Sequence, residues 1–175
     1  MKYSTLIIYH TIIAITTSIA LAGAYVSESF FDAHPCTLCI YQRYAYAVMM
    51  VISSSYIIYI YYCHNVKLDA NNFSHKAWLL LSIVSIFIGN ALSIFHSGIE
   101  RHWWSYESSC TGFNGKILSM QDMIHSIEHA PIVACDALGP QLLGLTMANY
   151  SVIMLTLLSL GSIGIYHSPL KPLVR

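Results

Sequence analysis

Charge is scarce in this chain. Lys, Arg, Asp and Glu make up 9% of its 175 residues, eight basic and eight acidic, where a soluble domain carries about a quarter. Net charge is zero and there is no basic run, so nucleic acid is not an expected partner. There is no Gly-rich dinucleotide fingerprint, so neither a flavin nor a nicotinamide site is expected. Haem attachment needs Cys-x-x-Cys-His, and Ile40 follows Cys39 here. Period-two alternation of apolar and polar residues is missing too, which argues against membrane-spanning strands.

What the chain has is apolar sequence, 56% by count. It falls in four runs, at 6–25, 44–62, 77–95 and 142–165. Each is long enough to cross a hydrocarbon layer of about 30 Å as a helix. The expected fold is all-α: one domain over 1–175, a four-transmembrane-helix bundle with helices at about 6–25, 40–62, 77–95 and 142–165. The connections at 26–39 and 96–141 then share one side of the membrane. The longer loop carries an amphipathic stretch from Ser119 to His129, with Met120, Met123, Ile124 and Ile127 at helical spacing. It reads as a short helix, either on the membrane surface or packed on the bundle. Lys2 and Ala20-Leu21-Ala22 resemble a cleavable signal, but the apolar run exceeds a signal core of roughly 7–15 residues. The first helix is therefore expected to be retained.

Lys2, Lys67, Lys76, Lys171 and Arg175 flank one side of the bundle, and Arg43, Arg101 and Lys116 the other. The positive-inside rule places both termini in the cytoplasm. Cys36, Cys39, Cys110 and Cys135 then lie outside, where disulfides persist. Cys63 lies inside and reads as a small apolar residue.

Four outer cysteines allow three pairings, and sequence alone does not choose. Local closure favours Cys36–Cys39, leaving Cys110–Cys135. A bridge across the loop restrains a long segment. A Cys-x-x-Cys bridge restrains almost nothing, so redox chemistry is the better reading of that pair. Cys36, Cys39 and Arg43 are spaced i, i+3, i+7 and share one helical stripe. A guanidinium one turn from Cys39, with the helix N-terminus, favours thiolate. His96 closes the third helix at the same level and is a second polar group for a ring carbonyl or hydroxyl.

His34, Cys36, Cys39, His125 and His129 offer a set of zinc ligands. Oxidised cysteines do not bind zinc, and zinc leaves the second pair unexplained. No metal is therefore expected. With no soluble cofactor, the expected electron acceptor is a membrane quinone. The competing reading is a membrane binding or assembly protein with static disulfides or a zinc site.

Cys36-Thr37-Leu38-Cys39-Ile40-Tyr41-Gln42-Arg43 resembles the Cys-x-Leu-Cys-x-x-(Glu/Gln)-Arg signature of the DsbB family of bacterial disulfide-bond formation proteins. Phe95-His96-Ser97-Gly98-Ile99-Glu100 resembles the family's segment after its third helix. Cys135-Asp136, followed by Leu143-Gly144-Leu145-Thr146-Met147-Ala148, resembles the approach to its fourth. The resemblance implies an inner-membrane bundle with ubiquinone or menaquinone at its periplasmic face. It implies that Cys36 and Cys39 are reoxidised by quinone, Cys39 nearest the ring, with Arg43, His96, Met147 and Tyr150 at the quinone site. Cys110 and Cys135 would form the loop disulfide. Cys110 would meet a periplasmic DsbA-like thioredoxin-fold partner, and Cys135 would exchange toward Cys36. Vitamin-K-epoxide-reductase-like enzymes also combine a bundle, a Cys-x-x-Cys and a quinone, but their active pair comes late in the chain. Here it comes early.

Overall fold

A computed structural model of the chain describes residues 4–31, 35–66, 72–104, 135 and 141–167. Its elements are α1 (Ser4–Phe31), α2 (Thr37–Val66), α3 (Asn72–Glu100), β1 (Gln141–Leu142), β2 (Leu145–Thr146) and α4 (Met147–His167). All four helices are long and apolar enough to cross a membrane. The protein is an all-α, four-span bundle, as its apolar runs imply. Ser119–His129 and Cys110 lie outside the described residues.

α1 packs on α2, α2 on α3, and α3 on α4. On α2 the buried residues are Leu38, Gln42, Tyr46, Met49, Ser53, Tyr56 and Cys63, an inward stripe stepping by three or four until Tyr56. The apolar core joins Leu6, Tyr9 and Ile13 of α1 to Tyr46, Met49 and Tyr56, and to Leu79, Ile86 and Leu155. Ile8, Ile12, Ile15 and Ile19 face outward on α1. That pattern suits a bilayer, where apolar side chains gain nothing by turning inward. Gly89 lets α2 and α3 approach closely, because a Cβ there would press on Met49.

Several hydroxyls inside the bundle are bonded locally. Thr17 donates to the Ile13 carbonyl at 2.7 Å, Ser93 to Gly89 at 3.0 Å and Ser162 to Leu158 at 2.6 Å, each one turn back along its helix. Such bonds remove the penalty of an unpaired hydroxyl in hydrocarbon. A second polar knot lies far from Cys36. There His10 stacks on Tyr56 with centroids 4.1 Å apart, and Tyr56 Oη meets His75 Nδ1 at 3.1 Å.

Helix ends differ from the apolar boundaries. α1 runs on to Phe31 and α3 to Glu100, so much of 26–39 is helix rather than loop. No Pro or Gly interrupts Val26–Phe31, and Pro35 separates α1 from α2. The fourth helix begins at Met147, not at 142. The intervening residues form a two-residue hairpin that pairs Gln141 with Thr146 and Leu142 with Leu145. Leu143 and Gly144 both take positive φ, 52° and 78°, the turn that matches strand twist.

Candidate functional site

Cys36 sits just before α2 and acts as its N-cap. Its carbonyl accepts from Ile40 N–H at 3.2 Å, and its sulfur accepts from Cys39 N–H at 3.3 Å. The sulfur thus takes the place of a Ser or Asp oxygen on an otherwise unpaired helix donor. The helix's positive end also faces it.

Both thiols are free. Cys36 Sγ donates to Cys39 Sγ at 3.0 Å. His96 Nε2 lies 3.4 Å from Cys36 Sγ and 4.0 Å from Cys39 Sγ. Donating to Cys39 and burial together push the Cys36 thiol up to about 12. Cys135 packs with Cys36, Leu38 and Ile99 in one buried cluster. Its sulfur hydrogen-bonds the Cys36 thiol and the backbone of Leu38 and Thr37. Burial pushes the Cys135 thiol up to about 11. Cys36 and Cys135 are 5% and 4% exposed, whereas Cys39 is only half-buried. Cys39 is the most open of the three sulfurs.

A chain of polar side chains holds His96 in place. Its Nδ1 meets Gln42 Oε1 at 3.1 Å, and Gln42 Nε2 donates to Ser93 Oγ at 3.0 Å. With Nδ1 bonded to a carbonyl oxygen, the Nε2 lone pair is turned to the sulfurs. On the far side, Glu100 Oε1 lies 3.9 Å from Nε2, and Glu100 Oε2 accepts from Thr146 Oγ1 at 2.6 Å. Asn149 Nδ2 donates to that Thr146 oxygen at 2.9 Å, while Asn149 Oδ1 accepts from Ser97 at 2.7 Å and Arg101 at 3.1 Å. The start of α4 is thereby tied to the end of α3 beside the thiols. The arrangement can accept a proton from Cys36 at His96 Nε2 and keep a carboxylate nearby to face the resulting charge.

Cys36, Cys39, His96 and Cys135 come together. Arg43 follows Cys39 by one helical turn, but its guanidinium turns to α1. It pairs with Glu28 Oε2 at 2.6 Å, reaches the Ala24 carbonyl at 3.5 Å and lies 5.0 Å from the Tyr25 ring centroid. The extended α1 thus supplies an anion that competes for the cation expected to favour the Cys39 thiolate. Met147 is exposed at the first residue of α4, and Tyr150 is half-buried one turn later. Cys63 is buried far along α2. Cys110 is not among the described residues. Gln42, Ser93, Glu100, Thr146 and Asn149 were not singled out from the sequence. Gln42, Glu100 and Thr146 stand within the quoted motifs, and the polarity of Gln42 and Glu100 on apolar helices was the available signal.

The family model for "Disulfide bond formation protein DsbB" matches residues 8–164. The chain belongs to the DsbB family. An uncharacterized protein of Rickettsia prowazekii (strain Madrid E), RP370, is 29% identical over 146 residues, covering 82% of this chain and 78% of its own length. No solved structure matches. Membership of the DsbB family makes this a multi-pass membrane protein of disulfide-bond formation.

Proposed function

We propose that the protein reoxidises a periplasmic thioredoxin-fold dithiol protein of the DsbA type and passes the electrons to a membrane quinone, ubiquinone or menaquinone. The observation that carries this reading is the graded exposure of three neighbouring sulfurs. Cys39 is half-open while Cys36 and Cys135 are buried, so an outside acceptor meets Cys39 and internal exchange falls to Cys36 and Cys135. The basic residues at the two ends support an inner-membrane orientation with both termini cytoplasmic and the thiols periplasmic.

In this reading the partner's two thiols reduce a Cys110–Cys135 disulfide, Cys110 forming the mixed disulfide. The partner leaves oxidised. The freed Cys135 sulfur, beside Cys36, attacks the Cys36–Cys39 disulfide, and Cys110 closes back on Cys135. Cys36 and Cys39 are left as thiols. Bound quinone is the sink for two electrons and two protons. His96 takes the proton of Cys36 at Nε2, held in register by Gln42 and Ser93. Glu100 faces the imidazolium. Met147 and Tyr150 at the start of α4, and Arg43 in its pair with Glu28, complete the residues proposed for the quinone site. The partly open thiol beside a histidine fits a ring with two carbonyl oxygens.

Purified protein, reduced partner and a soluble ubiquinone analogue are expected to produce quinol catalytically. Cys39→Ser is expected to lose turnover completely; turnover persisting in that variant overturns the mechanism.

A further inference from the structure

The cluster around Cys36 has a geometry that disulfide exchange does not require. Cys36 Sγ, Cys39 Sγ and His96 Nε2 lie within 4.8 Å of one another. Tetrahedral zinc holds sulfur at about 2.3 Å and imidazole nitrogen at about 2.0–2.1 Å, which places neighbouring ligand atoms roughly 3.5–3.8 Å apart. The Cys36–His96 separation of 3.4 Å and the Cys39–His96 separation of 4.0 Å bracket that spacing. Only the sulfur pair, at 3.0 Å, has to widen. Cys135 packs in the same buried cluster as Cys36 but is not one of the three converging groups.

Two further details suit a metal. His96 Nδ1 is bound by the Gln42 carbonyl oxygen at 3.1 Å, leaving Nε2 aimed at the sulfurs; metal-ligating histidines regularly carry such an outer partner. A backbone N–H supports one of the sulfurs, Cys39 N–H on Cys36 at 3.3 Å. The loop histidines His34, His125 and His129 are not needed.

We propose that the fully reduced site binds one zinc-class divalent cation through Cys36, Cys39 and His96, with water in the fourth position, and releases it when the cysteines are oxidised. Each ligating thiol gives up its proton to solvent and no electron moves. Closing the Cys36–Cys39 disulfide withdraws two ligands and frees the ion. Binding stands on the ligand set alone. Its consequence, that the ion halts turnover by occupying the reduced thiols, rests on the thiol-oxidase reading.

The test uses the full chain in detergent, reduced, metal-free and anaerobic, titrated with Co²⁺ and then Zn²⁺. One equivalent of Co²⁺ is expected to give sulfur-to-cobalt charge transfer in the near ultraviolet and the intense visible bands of a tetrahedral site. One equivalent of Zn²⁺ should erase both. Cys39→Ser and His96→Ala are expected to lose these bands, Cys63→Ser to keep them, and Gln42→Ala to bind about 10–100-fold more weakly. Helical circular dichroism and gel filtration report whether each variant is folded. Absence of a stoichiometric band in folded, reduced wild-type protein overturns the proposal. So does an unchanged band in the Cys36→Ser, Cys39→Ser double variant. Cation binding without quinone-linked turnover of the metal-free protein keeps this site and defeats the thiol-oxidase reading. Turnover without cation binding does the reverse.

Discussion

Cys36 does several things at once. It caps α2, donates to Cys39, touches His96 and packs on Cys135. Although His96 pulls the other way, donation to Cys39 and burial keep the proton on Cys36. Its ordinary value of 9.0 is pushed up to about 12, so the thiolate fraction at pH 8 falls about a thousandfold below that of a free thiol. Iodoacetamide is expected to alkylate Cys36 of the reduced protein correspondingly slowly at pH 8, as read by peptide mass spectrometry. The rate should climb with pH and level off only near 12. The raised value means that the protonated thiol is the form the fold favours: this contribution to stability is complete below pH 9 and is lost as pH rises toward 12. The i, i+3, i+7 stripe of Cys36, Cys39 and Arg43 was legible in the sequence. The direction of the guanidinium was not, because it depends on Glu28, fifteen positions away on another helix. The Gln42–His96 and Glu100–Thr146 bonds were hidden for the same reason. Spacing reports neighbours on one helix and is silent about a facing one.

Helix ends decide how the site is held. α3 closes with Trp103 N–H bonding the Gly98 carbonyl and His102 N–H bonding the Ile99 carbonyl, both at 2.9 Å. His102 takes the left-handed φ of 55°. That is the Schellman arrangement, whose left-handed position is normally Gly. His102→Gly is expected to stabilise the protein by about 1 kcal/mol, read as a higher melting temperature in detergent. The Trp104 indole then folds back, donating to the Phe95 carbonyl at 3.0 Å, and lies on Gly98 where a Cβ would collide with the ring. Gly98→Ala is expected to cost about 1–3 kcal/mol and to shift tryptophan fluorescence as the indole is displaced. Element existence was legible from four apolar runs, since a bilayer demands them. Element ends were less so. Leu142, Leu143 and Leu145 continue the apolar run into α4, and Gly144 alone marked the turn that makes them a hairpin.

Across the whole molecule, two kinds of interior divide the length of the bundle. One end holds the thiols, His96 and Glu100; the other holds His10, Tyr56 and His75. Between them the core is apolar, with hydroxyls folded back onto their own helices. The proposed orientation puts the thiol end outside. A reporter that fluoresces only in the cytoplasm, fused after Arg175, is therefore expected to be bright, and one that needs export to be silent; the opposite result reverses the orientation. The bundle was foreseeable from composition because a chain with so few charges has little alternative to lipid. Its two polar ends were not, since they assemble residues from several helices.

The unequal cover of Cys36 and Cys39 makes the two ends of a future sulfur–sulfur bond chemically unlike. A reagent arriving from outside will strike one atom and a sulfur arriving from within will strike the other. Traffic through the bond therefore has a direction set by packing alone, and no hinge has to swing to keep incoming and outgoing electrons apart.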